Sequence, residues 1–575
     1  MQNMEESPYK NKIWTKSYDT YVKPELDDLF QNISLAETLM NTVKKYPTNL
    51  CYEFMGTTST YQEFEKKVVS FANFLDSNGV KKGDKVAINL PNSPQYMVAL
   101  YGSFYVGATV SGMNFLLQPN EIIYQLSDSE AKVLVTMDSF YEESVRKALA
   151  SGKTNVELVI TTNITDLMEI SSIKVWLGKL LKKVPSGKVI PVDGMKFFEF
   201  KEILEDYPNE NPPRVKYDPQ NDIAFLQYTG GTTGPPKGAI LTHSNEMANM
   251  AQVVHWLDKL VSKGNDIFIS GFPFFHLAGL FFGLASVYLG AQQLLIANPR
   301  DTAHISKLVD KWNPTFMLNV PTLYMMLIND QNFREVDLSS IRVYGSGAAP
   351  FPSDKIRDFE EIVGKNMVLE VYGMTEASPL VTANPVENTR KIGTIGLPIP
   401  NTEVKIVDTS DKSKEMPLGE AGEIVIRGPQ VFKGYWKKPK ESENALKDGW
   451  FYSGDVGVMD DEGYITVVDR TKDMIIVGGY KVFSVEVDEK MSKHPAIELC
   501  STVGIPNPKR PETEIVKLYV KLKEGYQKSD EMKEEIFEYA RNNLAKYKVP
   551  KEIELVEEIP LTSVGKIDKK ALRSN

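Results

Sequence analysis

Cysteine is almost missing from this chain: 575 residues contain two, Cys51 and Cys500. That excludes a disulfide framework and a cysteine-rich zinc site, and fits free thiols in a reducing compartment. A basic excess is also missing. Lys+Arg total 66 against 76 for Asp+Glu, a net charge of −10, so no general nucleic-acid coat is expected. The start, Met1-Gln2-Asn3-Met4-Glu5-Glu6, has neither a basic cluster nor an apolar core, so it does not read as an export signal. Long apolar runs are scarce. Ile267 to Pro299 carries no Asp, Glu, Lys or Arg, but Pro273, His276, Gly283, Gly290 and Gln292-Gln293 interrupt it. Its continuous apolar part falls short of the ~20 residues a membrane span needs. It reads as strand, buried helix and strand in the core of a soluble, cytoplasmic protein. With 42% apolar and 25% charged residues the chain is not disordered, and its length asks for two to four domains.

What is present has an α/β rhythm. Val86–Leu90 reads as a buried strand, and Ser93-Pro94 supplies a cap and a favourable first position for a helix through Leu100. Further strands are expected at Asp222–Leu226, Ile267–Ser270, Gln293–Ile296, Phe316–Val320, Ile341–Tyr344 and Val368–Val371, separated by helix-length segments. Such alternation implies parallel sheets covered by helices. From about Asn401 shorter strands with Gly-rich turns take over, at Glu403–Val407, Glu423–Arg427 and Tyr464–Val468. After Arg470 a helix around Asp530–Leu544 and strands near Ile515–Val520 and Ile553–Val556 suggest a compact α+β unit. The expected organisation is a large α/β body at 1–400, a β-rich subdomain at 401–470 and a mobile C-terminal α+β lid at 471–575.

The segment SSIKVWLGKLLKKVPSGK, residues 171–188, sets Ile173, Val175, Trp176, Leu177, Leu180 and Leu181 among five lysines with no acid. Two readings stay open. It is either a surface helix docked on the body with solvated lysines, or a basic amphipathic helix making weak peripheral contact with an anionic membrane.

Chemistry concentrates at Tyr228-Thr229-Gly230-Gly231-Thr232-Thr233-Gly234-Pro235-Pro236-Lys237-Gly238. Glycines allow close backbone approach, hydroxyls donate hydrogen bonds and a lysine adds charge, a combination suited to polyphosphate. It follows an expected strand, where ligand loops of α/β proteins sit. A P-loop NTPase is excluded, because that motif needs Gly-Lys-Ser/Thr opening a helix, whereas Lys237 follows two prolines and precedes Gly238.

In series with that loop, Tyr372-Gly373-Met374-Thr375-Glu376 resembles a second signature of the adenylate-forming superfamily, which includes acyl-CoA synthetases, peptide-synthetase adenylation domains and luciferases. The resemblance runs from about Tyr52 to Leu572. It implies ATP, Mg²⁺ and CoA as ligands, with the glycine/threonine loop, Lys237, Tyr372, Gly373, Met374 and Thr375 around the nucleotide. Thr229 and Glu376 would serve catalysis and hold the metal, a role that suits a carboxylate oxygen. Gly347, Ala348 and Ala349, in Gly345–Pro350, resemble the adenine-pocket loop. Asp455 matches a ribose-binding aspartate and Arg470 a second nucleotide contact. Lys566, in a Pro-x-x-x-x-Gly-Lys context, matches the catalytic lysine of the lid, which would stabilise charge growing on carboxylate and α-phosphate. Lys472 occupies the hinge position, and Gly478-Gly479 the loop lining the CoA tunnel. Phe275, His276, Gly279 and Leu280 fall in the segment that lines the acyl pocket, with His276 also facing the reaction centre or serving as a core histidine.

Three departures stand out. Ile476 replaces a lysine common after the hinge, with Lys481 nearby; Gly231 replaces a common serine; and no tryptophan follows His276 where several long-chain relatives carry one. Gly231 and the apolar run at Phe272–Leu280 are similar to bacterial long-chain fatty acyl-CoA synthetases, and alkyl burial gains ~0.8 kcal/mol per methylene. The expected reaction is ATP + fatty acid + CoA to AMP + pyrophosphate + acyl-CoA, on medium- to long-chain acids. The alternatives are a short-chain or aryl acid as substrate, or a catalytically silent lipid-binding scaffold. A peptide-synthetase domain is disfavoured by the lack of an acid near His276, and a fatty acyl-AMP ligase by the lack of an insertion near the hinge. Chain length and the choice between monomer and homodimer stay open.

Overall fold

The computed structural model describes residues 7–229, 235–477, 480–508, 510–562 and 566–574. Its body holds two helix-covered sheets. One runs 196–199, 158–162, 131–137, 85–89, 109–112, 223–229, 237–242 in spatial order, parallel except for the antiparallel pair that ends it. The other runs 397–398, 380–383, 368–373, 343–346, 316–319, 267–270, 292–295, 50–54, 57–60, with a parallel centre and antiparallel edges. The α/β expectation is met. Strand positions agree within a few residues; the strand expected at Ile341–Tyr344 lies at Val343–Ser346, because its ladder is set by pairing with Phe316–Asn319 on one side and Val368–Glu370 on the other, which local sequence does not specify.

The local reasons are visible at the helices that carry the core. Ser93 accepts a hydrogen bond from the Tyr96 amide and Pro94 opens Pro94–Tyr105, every residue of which is buried. The charge-free stretch becomes strand Ile267–Ser270, helix Leu277–Leu289 and strand Gln292–Leu295. His276 caps that helix, and Gly290 ends it at φ 68°, where a Cβ would lie 2.4 Å from the Tyr46 ring. Among the described residues no helix is long and apolar enough to cross a membrane.

A five-stranded antiparallel sheet follows, built from 403–407, 422–427, 446–447, 450–459 and 465–470. Beyond it, Ile497–Asn507, Arg510–Leu522 and Glu552–Val556 form a three-stranded sheet, antiparallel then parallel, against helices Ser484–Met491 and Asp530–Asn543. Val482, Val487, Met491, Leu518, Ile536 and Ala540 give this last unit its own apolar core. The fold is therefore an α/β body with a small β-rich unit, followed by an α+β C-terminal unit.

Segment 171–188 departs from the reading of a surface helix docked on the body. The helix covers Ser172–Leu180 and then turns back, with the Lys183 and Val184 amides donating to the Gly178 carbonyl at 2.8 and 3.1 Å. Its apolar side chains are not docked on the body: Ile173 and Trp176 are 72% and 63% exposed.

The edge strand pairing at Ala383–Leu397 depends on Gly396, whose φ is 77° and whose added Cβ would fall 2.1 Å from the Ala383 carbonyl carbon. Gly396→Ala should destabilise the body by about 2–3 kcal/mol, through overpacking and a left-handed backbone. Thermal unfolding checks this; an unchanged midpoint would contradict the contact.

Candidate active site

Two strand ends meet at Asp455. Pairing of 450–459 with 465–470 puts Asp455 opposite Arg470, and the Arg470 Nε lies 3.2 Å from Asp455 Oδ1. The other carboxylate oxygen accepts a 2.7 Å hydrogen bond from the Tyr372 hydroxyl, delivered from the end of strand Val368–Gly373. Burial, and then the Asp455 charge, push the Tyr372 phenol well above its ordinary range. Gly373 turns the chain here, since a Cβ would sit 2.0 Å from the Pro379 carbonyl oxygen. The following turn, Thr375–Ala377, presents Glu376.

Glu376 is held by a residue the sequence reading overlooked. Tyr435 donates its hydroxyl to Glu376 Oε1 at 2.7 Å, and the Lys237 ammonium lies 4.2 Å from the centre of the same ring. Segment 433–436 reaches this place by running along strand Lys237–Thr242: Ile240 donates to the Gly434 carbonyl at 2.9 Å and Trp436 to that of Gly238 at 2.8 Å. No spacing near Glu376 signals it, since the partner is 59 residues away. Burial raises the Glu376 carboxyl above its ordinary range, against the opposing influence of Tyr435 and Lys237. A half-buried carboxylate so incompletely compensated fits a hard dication, and Thr229 adds a hydroxyl oxygen on the paired strand opposite Lys237.

The glycine/threonine loop joins two antiparallel strands, Ile223–Thr229 and Lys237–Thr242, rather than a strand to a helix. Gly230, Gly231, Thr232, Thr233 and Gly234 lie outside the described residues, as do Gly478 and Gly479. Both ends of the loop are fixed: the Tyr228 hydroxyl donates to Asp128 at 2.7 Å, and the Tyr124 hydroxyl to the Pro236 carbonyl at 2.8 Å.

Lys566 comes from the far end of the chain into the same place. Thr562 and Lys566 bond to each other, the Thr562 amide donating to the Lys566 carbonyl at 2.6 Å and the Lys566 amide to Thr562 Oγ1 at 3.1 Å. Burial and the nearby Arg470 charge lower the Lys566 ammonium to about 8, while Asp455 and Glu376 pull the other way. His276 lies close enough to feel Lys566: burial and then that charge hold its imidazole down at about 3, so it is neutral at physiological pH. Its Nδ1 accepts from the Ala278 amide at 3.3 Å and its ring leans on Phe272, 5.4 Å between centres. The structure thus gathers Tyr372, Glu376, Asp455, Arg470, Lys237, His276 and Lys566 from separate segments.

Phe275 is buried, with its carbonyl accepting from Gln227 Nε2 at 2.5 Å; Gln227 Oε1 is buried and has no partner among the described residues. Gly279 is required where it stands, since a Cβ would meet the Pro273 and Phe272 carbonyl oxygens at 2.4 and 2.6 Å. Leu280 is enclosed in the main core. In the loop after strand Val343–Ser346, a Cβ on Gly347 would lie 2.9 Å from Val371, Ala348 adopts φ 68° and Ala349 follows. Lys472 lies in the turn between the β-rich and C-terminal units, and burial followed by the Arg470 charge lowers its ammonium. Across that turn Ser484 donates from its amide and hydroxyl to Asp469, and just after Lys472 the Arg573 Nη2 lies 2.7 Å from Asp473 within the C-terminal unit. Ile476 is partly exposed, its amide on Glu514 at 2.9 Å, and Lys481 is engaged by Thr409 at 2.8 Å.

Residues 39–436 match the AMP-binding enzyme family, and 486–566 match the AMP-binding enzyme C-terminal domain. The chain belongs to this adenylate-forming superfamily and is an AMP-forming acyl-CoA ligase. It is similar to the long-chain-fatty-acid–CoA ligase of Bacillus subtilis, 36% identical over 98% of this chain and 97% of that protein. The feruloyl-CoA synthase of an Amycolatopsis species is 33% identical over 90% of this chain and 94% of its own. Among solved structures, ATP-bound MatB from Rhodopseudomonas palustris superposes with a TM-score of 0.81 at 25% identity, covering 94% of this chain and 98% of that one.

Removing the hydroxyl in Tyr435→Phe should leave Glu376 less ionised and less well aimed. ATP-dependent kcat/KM should fall roughly tenfold, in line with one hydrogen bond to a charged group, and the loss should shrink as Mg²⁺ is raised. Pyrophosphate exchange measured across a Mg²⁺ series checks this; an unchanged Mg²⁺ dependence would remove Tyr435 from the site.

Proposed function

We propose that this ligase activates medium- to long-chain fatty acids, carrying them through an acyl-adenylate to acyl-CoA. The observation that supports this reading best is the match of nearly the whole chain to a long-chain ligase. The uncharged segment Phe272–Leu280 and the uncharged, largely apolar helix behind it lend support, being suited to an alkyl chain. An aryl acid is the second reading, favoured by the similarity to a feruloyl-CoA synthase.

In the first half-reaction Asp455 would accept the ribose hydroxyls, the Gly347–Ala349 loop and Tyr372 would bound the base, and Lys237 would face the phosphates. Glu376 and Thr229 would hold Mg²⁺, which when bound offsets phosphate charge and polarises phosphoryl oxygens. Lys566 would place its ammonium where charge develops as the acid's carboxylate attacks the α-phosphate and pyrophosphate leaves. Neutral His276 can donate or accept one hydrogen bond beside the acid without adding charge.

For thioester formation, we take residues 471–575 as the unit that turns about Lys472. Such a rotation would withdraw Lys566, part Asp469 from Ser484 and bring Gly478-Gly479 to the opening for CoA. The thiol would then displace AMP from the adenylate, water having been kept away in between.

Lys566→Ala should lower adenylate formation by ~10²–10³-fold, the scale of one transition-state charge contact, while thioester formation from supplied acyl-adenylate falls much less. Equal loss in both steps would overturn the lid assignment. Since Lys566 is cationic below about 8 and neutral above it, kcat/KM for adenylation should decline as pH rises through about 8. In kcat, with phosphates bound beside the ammonium, the decline should shift to higher pH. A flat profile over this range would exclude Lys566 as the titrating group. For substrate class, acetate, octanoate, palmitate and benzoate should compete in one reaction with Mg-ATP and CoA, with products resolved by mass spectrometry. Octanoyl-CoA or palmitoyl-CoA should dominate; benzoyl-CoA would favour the aryl reading.

A further inference from the structure

The exposed large apolar side chains of this protein concentrate in one place. Ile173, Trp176, Leu177, Leu180 and Leu181 all stand in solvent within nine residues, four of them more than 60% exposed. Scattered exposed leucines are ordinary, but a contiguous group of this size marks an interaction site. Positions 173, 176, 177 and 180 follow helical spacing and share one face of Ser172–Leu180. Five lysines lie in 171–188 and no acid occurs from Ser171 to Val192, in a chain whose net charge is −10. The segment therefore reverses the sign of the molecule that carries it.

This helix is fixed at both ends with its apolar face outward. Before it, the Glu169 amide donates to Thr57 Oγ1 at 2.9 Å. After it, Val184 packs on the main core and Asn163 Nδ2 donates to the Pro185 carbonyl at 2.8 Å. Gly187 lies so close to Asp138 that a Cβ would reach its carbonyl oxygen at 2.2 Å. The anchoring holds the backbone of the hairpin and leaves the side chains of its outer face without protein partners to bury them.

We propose that this hairpin docks the protein on an anionic lipid bilayer. Apolar residues with a tryptophan would enter the interface, while lysines snorkel to the head groups. Charge complementarity selects this partner: a lipid surface offers diffuse negative charge around an apolar layer, which matches a stripe ringed by lysines. One short helix gives reversible attachment, the regime expected of a peripheral enzyme.

The location gives the attachment a use. Phe140, two residues beyond the Asp138 that Gly187 contacts, stacks on Phe115 at 5.3 Å between ring centres. Phe115 in turn meets Phe275 edge-on at 5.7 Å. A line of aromatic rings thus joins the base of the hairpin to the segment assigned to the acyl chain. A docked molecule would take its acid from the leaflet rather than from water, and this second step rests on the fatty-acid reading of the site.

The test uses the full chain without acid, ATP or CoA, sedimented with vesicles of phosphatidylcholine alone or with about 40% phosphatidylglycerol. Binding to the anionic vesicles should be about tenfold stronger than to neutral ones and should weaken in high salt. The triple variant Trp176→Ser, Leu180→Ser, Leu181→Ser should lose about tenfold in binding with an unchanged thermal midpoint, since these side chains support no core. Absence of anionic-vesicle binding, equal binding to neutral vesicles, or full binding by the folded triple variant would each overturn the proposal. So would self-association that the variant abolishes while vesicles are ignored, which would assign the face to a second copy. For delivery, the variant should be slower than wild type on palmitate embedded in anionic vesicles and equal to it on water-soluble octanoate. Equal rates on both would overturn delivery, whereas no thioester from either acid by wild type would overturn the fatty-acid reading and leave docking as measured by sedimentation.

Discussion

The carboxylate of Asp455 is the constraint on which the site's arrangement depends. One oxygen takes the Tyr372 hydroxyl from the large mixed sheet, and the other faces Arg470 across the small antiparallel sheet. A carboxylate only 7% exposed is costly unless its lone pairs are met, and here they are met from two separate layers. That double satisfaction fixes the sheets against one another. It leaves Arg470, immediately before the inter-unit turn, where Lys566 shares its field.

Much of the fold was legible because its signals are local. Ser93-Pro94 marks its helix within two residues, and the charge-free run at 267–299 could only be covered by other apolar surface. Strand limits were less so. The strand through Gly345 begins two residues later than its composition suggests, since a ladder ends where its neighbours end. The same distinction divides the site. Glu376, Asp455, Arg470 and Lys566 were legible only as members of an ordered series of motifs that resembles the superfamily, since an isolated Asp or Arg is usually a solvated surface charge. Tyr435 was not, because what makes it matter is a pairing of 433–436 along the 237–242 strand that no nearby residue foretells. Exposure of the 171–188 face was equally hidden: amphipathicity says that a face wants cover, and only the fold reveals that the body does not supply it.

The family assignment and the geometry carry different parts of the functional reading. Membership of the AMP-binding enzymes fixes the type of chemistry, activation of an acid by adenylation. Relatives named for alkyl and for aryl acids resemble this chain to a similar degree, so on the proposed reading the substrate class would be set by the residues around Phe275 and Gly279. There the backbone is crowded, the side chains are uncharged and the one titratable ring, His276, is kept neutral. Such surroundings reward removal of hydrocarbon from water, and on the proposed reading they would offer an anionic head group His276 as a polar neighbour and Lys566 as a cation.

Arg470 and Lys566 stand near enough for each to make the other's charge more costly. On the proposed reading of the site, anionic phosphate between them would turn that repulsion into shared attraction, and the nucleotide would act as the mortar of a closed joint. Departure of pyrophosphate would take most of that negative charge away and set the two cations against each other again. The leaving product would then serve as a clock, releasing the proposed lid by the loss of the charge that held it.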